Sequence, residues 1–222
     1  QQKQAIALGF FAGRTFQGTN AIAIGSNAGQ GTQGTNAIAI GFGAGITNQG
    51  TGTIAIGSNA GSTTQGNVAI AIGNNAGSTN QGQNAIAIGS NAGLSTQGQY
   101  AIAIGNNVAQ VGQQSAAISI GYQSGNTNQG QNAIALGIYG GGQANQQSGA
   151  IAIGFQAGTT NQGTNSIALG VNAGQTNLGT NSIAIGNLIT ITHPNTIAIN
   201  ASSVAFTSAH ASAFYVTSLR GV

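Results

Sequence analysis

Ala21-Ile-Ala-Ile-Gly25 opens a segment, Ser26-Asn-Ala-Gly-Gln-Gly-Thr-Gln-Gly-Thr-Asn36, that runs straight into Ala37-Ile-Ala-Ile-Gly41. The step from Ala21 to Ala37 recurs in both directions. AIALG begins at Ala5, TIAIG at Thr53, AIAIG at Ala69, Ala85 and Ala101, AISIG at Ala117 and AIALG at Ala133. AIAIG at Ala150 follows at a step of 17, SIALG at Ser166 and SIAIG at Ser182 at the usual 16, and TIAIN at Thr196 at 14. Self-similarity at a fixed period marks a stack of identical small units, each burying a face of the next.

Within the unit, the second position is Ile in every copy and the fourth is Ile or Leu. The residue between them is always Ala or Ser. This is a period of two, with a large side chain on one face and a small one on the other, as in a strand. Ile is β-branched and favours that conformation. A Gly follows the strand in every copy but the last, and two further Gly columns punctuate the polar remainder. Two turns, one strong strand and one weaker strand predict a flattened coil. Identical coils then stack so that each strand pairs, parallel and in register, with its copy one turn on.

The expected fold is all-β: a parallel β-solenoid or β-roll of about 13 short coils. The expected core is a ladder of Ile6, Ile22, Ile38, Ile54, Ile70, Ile86, Ile102, Ile118, Ile134, Ile151, Ile167, Ile183 and Ile197. Residues 1–4 read as a lead-in, 5–195 as the repeat region and 196–222 as a last coil with a cap or transition segment. Helix is disfavoured by three glycines per unit. Hairpins lack the Asn-Gly or Asp-Gly signal, and collagen's Gly at every third residue is not seen.

Composition removes most chemistry. There is no Asp, Glu or Cys; the charged residues are Lys3, Arg14 and Arg220, and the histidines are His193 and His210. Carboxylate acid–base pairs and Ser-His-Asp or Cys-based nucleophiles cannot be assembled. Calcium and magnesium want carboxylate oxygens, and two histidines without cysteine cannot close a tetrahedral zinc site within one chain. The chain reads as no enzyme, with no cofactor. A formal charge of +3 from scattered cations is no patch for phosphates, so no nucleic acid is expected. Apolar runs of about five residues fall short of the ~20 of a spanning helix and the ~9–11 of a membrane-barrel strand, so no membrane insertion is expected of this segment. The chain lacks an initiator Met and a signal peptide, and reads as processed or as a piece of something longer.

Two Ile per coil is a thin return for ordering the whole coil. The strand's other face, Ala7, Ala23, Ala39 and onward, is small and flat, and is expected to pack against the same face of another chain. An oligomer with its axis along the rod follows.

The unit in Asn84-Ala-Ile-Ala-Ile-Gly89 and Asn181-Ser-Ile-Ala-Ile-Gly186 resembles the head repeat of trimeric autotransporter adhesins of the YadA type, whose unit reads NSVAIG. The resemblance covers residues 5–200. It implies a left-handed parallel β-roll, three chains packed into one trunk and an extracellular adhesive role on a cell or virion surface. The family's usual period is nearer 14, whereas here it is 16, the two extra residues falling in the Thr-Asn-Gln-Gly stretch. The 16-residue form, with the tail SSVAFTSAHASAFYVTSLRGV, is similar to fibre proteins of phages and large viruses, in which a segment like FYVTSLRGV precedes a C-terminal chaperone domain. The receptor is not indicated.

Some places depart from the pattern. Ala109 and Gln114 replace the later glycines of their coil. Ile138-Tyr-Gly-Gly-Gly142, in the coil lengthened by one residue, reads as a protruding loop. Gly41-Phe-Gly-Ala-Gly45 is no phosphate loop, since neither a long helix nor Lys follows. Phe10, Phe11 and Phe16 at one end, and Phe206, Phe214 and Tyr215 at the other, read as caps. Pro194 marks the change from regular roll to C-terminal cap, because Pro lacks the N–H a central ladder needs. Two other functions compete with an adhesive fibre: an ice-binding solenoid, from the column Thr47, Thr63, Thr79, Thr127, Thr160 and Thr176 broken at Gly31 and Val111, and a functional amyloid, from the Gln/Asn-rich units.

Overall fold

The computed structural model describes residues 2–140 and 143–217. Every regular element among them is a β-strand. The chain divides into two compact units, Gln1–Ala116 and Ala117–Val222.

In the first unit, the strands Ile6–Leu8, Ile22–Ile24, Ile38–Ile40, Ile54–Ile56, Ile70–Ile72, Ile86–Ile88 and Ile102–Ile104 form one parallel ladder. The register is like-on-like: Ile22 lies beside Ile38 and Ala23 beside Ala39. A thinner ladder runs along the opposite side of each coil. It starts with Phe16–Gln17 beside Thr32–Gln33 and continues as single bridges from Gln33 through Gln49, Gln65, Gln81 and Gln97 to Gln113. The second unit repeats the plan with Ile118–Ile120, Ile134–Leu136, Ile151–Ile153, Ile167–Leu169, Ile183–Gly186, Ile197–Asn200 and Phe214–Thr217, all parallel. Each unit is thus a parallel β-solenoid, seven strand copies long.

Asn makes many of the corners. Asn20, Asn27, Asn36 and their counterparts hold φ near +51 to +60°, a region that Asn tolerates better than most residues. Their side chains then bond from coil to coil, as from Asn128 to Asn145 to Asn161 to Asn177 at 2.9–3.2 Å. The Gly that ends the strand answers a steric demand. At Gly25, φ is +124° and an added Cβ would stand 2.6 Å from the carbonyl oxygen of Gly41.

The burial pattern corrects the expected core. Ile22, Ile38, Ile54, Ile70, Ile86 and Ile102 are only half-buried, as are Ile118, Ile134, Ile151, Ile167 and Ile183, while Ile6 and Ile197 are exposed. The alanines between them, Ala23 to Ala103 and Ala135 to Ala184, are fully buried. The alternation is as read, but the small face points in. Width decides it: a three-residue strand opposite a one- or two-residue bridge leaves an interior only wide enough for methyl groups and one longer side chain. The Ala face is therefore the coil's own lining and not a surface for a second chain.

The stretch read as a protruding loop is described only in part. Ile138, Tyr139 and Gly140 keep the regular path: Tyr139 N donates to Tyr122 O at 2.9 Å and Gly125 N to Gly140 O at 3.1 Å. The extra residue enters between Gly140 and Gln146, because Gln146 bridges Gln129 at an offset of 17. Gly141 and Gly142 lie outside the described residues, as do the last five of the FYVTSLRGV segment. Ala109 keeps φ at +46° in place of Gly.

The ends differ from each other. Phe206 and Tyr215 meet at 5.1 Å and pack on a buried group of Leu178, Ile189, Ile191 and Ala198, so they do cap a core. Phe214 instead continues the outward Ile column, beside Ile197. Phe10, Phe11 and Phe16 stay exposed and cap nothing; the Arg14 guanidinium lies 4.6 Å over the Phe11 ring. Pro194 contributes its carbonyl, accepting from Ser212 N at 3.2 Å, while parallel pairing continues past it.

Candidate functional site: an outward isoleucine face

What fills each coil determines what is left outside. Gln17, Gln33, Gln49, Gln65, Gln81, Gln97 and Gln113 form a buried column in the first unit, and Gln129, Gln146 and Gln162 form one in the second, each 0–2 % exposed. Each side chain crosses the interior to the strand of its own coil. Gln81 Nε2 donates to Ile70 O at 2.7 Å and to Ala85 O at 3.3 Å. Gln33 does the same to Ile22 O and Ala37 O at 2.6 and 3.3 Å. Neighbouring amides also join, Gln81 to Gln97 at 3.2 Å and Gln97 to Gln113 at 3.1 Å. Buried polar groups must be bonded in this way to be tolerable, and bonded ones specify a unique packing.

The amide needs room. A Cβ on Gly29 would come within 2.9 Å of Gln33 Oε1. Gly and Gln thus belong to one device: the Gly clears the space that the Gln amide occupies. Ser119, which replaces the strand Ala of its coil, donates to Gln129 Oε1 at 2.7 Å. In the second unit the column changes to Leu178, and Ile189 and Ile191 join it in the interior. The Gln column is what a reading of polarity misses. Its signal is present in the sequence, a Gln returning once per repeat and mostly just before Gly, but a polar residue between glycines looks like turn.

With the interior filled by Ala and Gln, the Ile side chains of the expected ladder stand on the outside of their coils, stacked within each unit. Ile22 follows Ile6, Ile38 follows Ile22, and so on within each unit. A second column runs parallel two residues on, with Leu8, Ile24, Ile40, Ile56, Ile72, Ile88 and Ile104 in the first unit. Stacked neighbours shield each other along the column, which is why most are half-buried. The end members show what shielding removes: Ile6 is 53 % and Leu8 67 % exposed. No Asp or Glu exists to break the stripe, and Lys3 and Arg14 lie in or before the first coil. Continuous apolar faces of this kind mark association surfaces. Among the described residues no group of three or more His, Cys, Asp or Glu side chains stands together, and no helix is long and apolar enough to cross a membrane.

A parallel solenoid with a polar-bridged interior and an apolar outer sheet defines the class: a repeat protein whose coils are all built to one pattern. The YadA head domain repeat (2 copies) is the family description matched, over residues 17–28, 65–92 and 147–173. The chain carries YadA-like head repeats. No curated protein matches the chain.

Proposed function

We propose that the chain is the repeat body of an extracellular attachment fibre, non-enzymatic, in which three copies lie side by side with their isoleucine faces turned inward. The observation that carries this reading is the pair of outward Ile columns on a coil whose interior is already full. Covering them removes apolar surface from water at about 25 cal/mol per Å², without any cost of burying charge. The YadA-like repeats support the number three, a left-handed coil and a place on a cell or virion surface, where repeated weak contacts along a rod add up. In this reading residues 1–4 lead in, 5–195 form the rod and 196–222 close it. The receptor is a separate component that the fibre meets through its remaining faces.

The threonine column offers less to ice. Thr63 Oγ1 donates to Ser78 O at 2.8 Å and Thr47 Oγ1 to Ser62 O at 3.3 Å, so these hydroxyls turn to the backbone. The fibre reading is tested by placing Asn at two outward positions, Ile70→Asn with Ile86→Asn, and measuring particle mass with circular dichroism. Side-by-side packing predicts folded chains of smaller mass than the unsubstituted particle. An unchanged mass would show that these side chains do not hold the particle together.

A further inference from the structure

The corner after the strand is uniformly small and polar through much of the first unit. It reads Ser58-Asn59, Asn74-Asn75, Ser90-Asn91 and Asn106-Asn107 in four successive coils. Before them, Phe10 and Phe42 stand at this corner with Ser26 between, so they make no row. In the second unit the same corner becomes Tyr122-Gln123, Ile138-Tyr139 and Phe155-Gln156. The strand and the Gln column do not change with it: Ile118, Gln129, Ile134, Gln146, Ile151 and Gln162 hold their usual places. The fold therefore has no need of these rings.

Their arrangement is ordered. Tyr122 and Tyr139 meet edge to face at 5.5 Å, and Tyr139 meets Phe155 edge to face at 6.3 Å. Tyr122 is 41 % and Phe155 44 % exposed. Amide groups flank the row. Gln175 Nε2 donates to Gln156 Oε1 at 3.3 Å, and Gln123 Nε2 to the Tyr122 hydroxyl at 3.3 Å. The coil that bears Tyr139 is also longer than the coils on either side of it, from Ala133 to Ala150. Two departures from the repeat, in residue type and in length, thus fall in one coil.

The chemistry selects the ligand class. From Ala117 to Gln175 the sequence holds no charged residue and no His. Anionic glycans and nucleic acids would find no cation there, and a charged protein surface no complementary field. Aromatic faces with a polar tip suit a ligand that is apolar on one side and wet on the other, and a Gln amide both donates and accepts. A neutral sugar chain offers that combination, with CH groups on the ring faces and hydroxyls around the edges. We propose that the corner formed by Tyr122, Tyr139 and Phe155 binds a neutral polysaccharide, the exposed rings of Tyr122 and Phe155 stacking on sugar faces, half-buried Tyr139 standing edge to face between them, and the flanking amides meeting hydroxyls. The proposal deepens the attachment reading and rests on it.

The test immobilises a mixed-linkage β-glucan, a dextran and a galactomannan, with heparin as the charged control, and measures binding of the full chain. The expected result is saturable binding to at least one neutral polymer, insensitive to added salt, and roughly tenfold or more weaker in a Tyr122→Ser, Tyr139→Asn, Phe155→Ser variant. Ser and Asn are the residues that fill these corners elsewhere, and Phe155→Ser alone, with a smaller loss expected, guards against a folding defect in the triple variant. Binding to none of the neutral polymers, equal binding by the variants, or preference for heparin would overturn the proposal. So would a change of particle mass in the variants, which would place the rings between copies. Mass read on the same samples separates the two readings. Three-chain particles that bind no neutral polymer sink the polysaccharide site alone, and single chains that bind one sink the side-by-side fibre alone.

Discussion

Gln81 summarises the chain at the scale of one residue. It is a polar side chain placed where an ordinary fold would put Leu, and its amide hydrogens are used on Ile70 O and Ala85 O. The weak point of such a column is the acceptor end. The Oε1 atoms of Gln17, Gln33, Gln49, Gln81 and Gln146 are buried without a donor, and an unmet buried acceptor costs about 1–3 kcal/mol. Where Ser119 stands at the strand position, Gln129 Oε1 has its donor. Ala71 occupies the same place relative to Gln81. Ala71→Ser should therefore stabilise the chain by about 1 kcal/mol, read as a higher urea midpoint at unchanged slope; a lower midpoint would mean that the added hydroxyl finds no acceptor.

The coil is the next scale, and its rule is length. Strand, corner, Gln bridge and return turn together fill one period, the step from Gln81 to Gln97. Backbone groups bond to the neighbouring coil throughout, as Ile70 N does to Ala85 O at 2.9 Å. Removing residues 69–84 joins Val68 to Ala85 and leaves every column in phase. Solenoid stability is close to a sum over repeats and their neighbours. This deletion should thus fold with the same circular dichroism per residue and a modestly lower midpoint, whereas removal of 69–76 alone should abolish cooperative unfolding. A well-folded half-coil deletion would refute the phase argument. The same scale explains what can be read from sequence. Period, strand positions and parallel like-on-like pairing follow from the spacing of AIAIG and from Gly after each strand. Which face of the strand lines the coil does not, because alternation is symmetric between inside and outside. The choice depends on interior width, and that width is set by Gln65 or Gln97 reaching across the coil, a residue whose polarity disguises its place. The outward Ile face, and with it the candidate site, is legible as a ladder but not as a surface.

At the scale of the molecule, the absence of Asp and Glu shapes behaviour. Acid unfolding comes mostly from protonating carboxylates that are paired or bonded in the native state. The coils have none. The thermal midpoint should change little between about pH 5 and about pH 3, the range in which carboxylates titrate, measured by circular dichroism at constant salt, and a steep loss across that range would contradict this account. With Lys3, Arg14 and Arg220 as the only charged residues, the Ile columns of each unit carry no charge to oppose the approach of another copy. The most direct test of the account is the mass of the native particle by light scattering. Three times the 21.5 kDa chain mass is the predicted value, with the isoleucine faces turned toward one another. A particle of one chain mass, stable with those columns facing water, would contradict it.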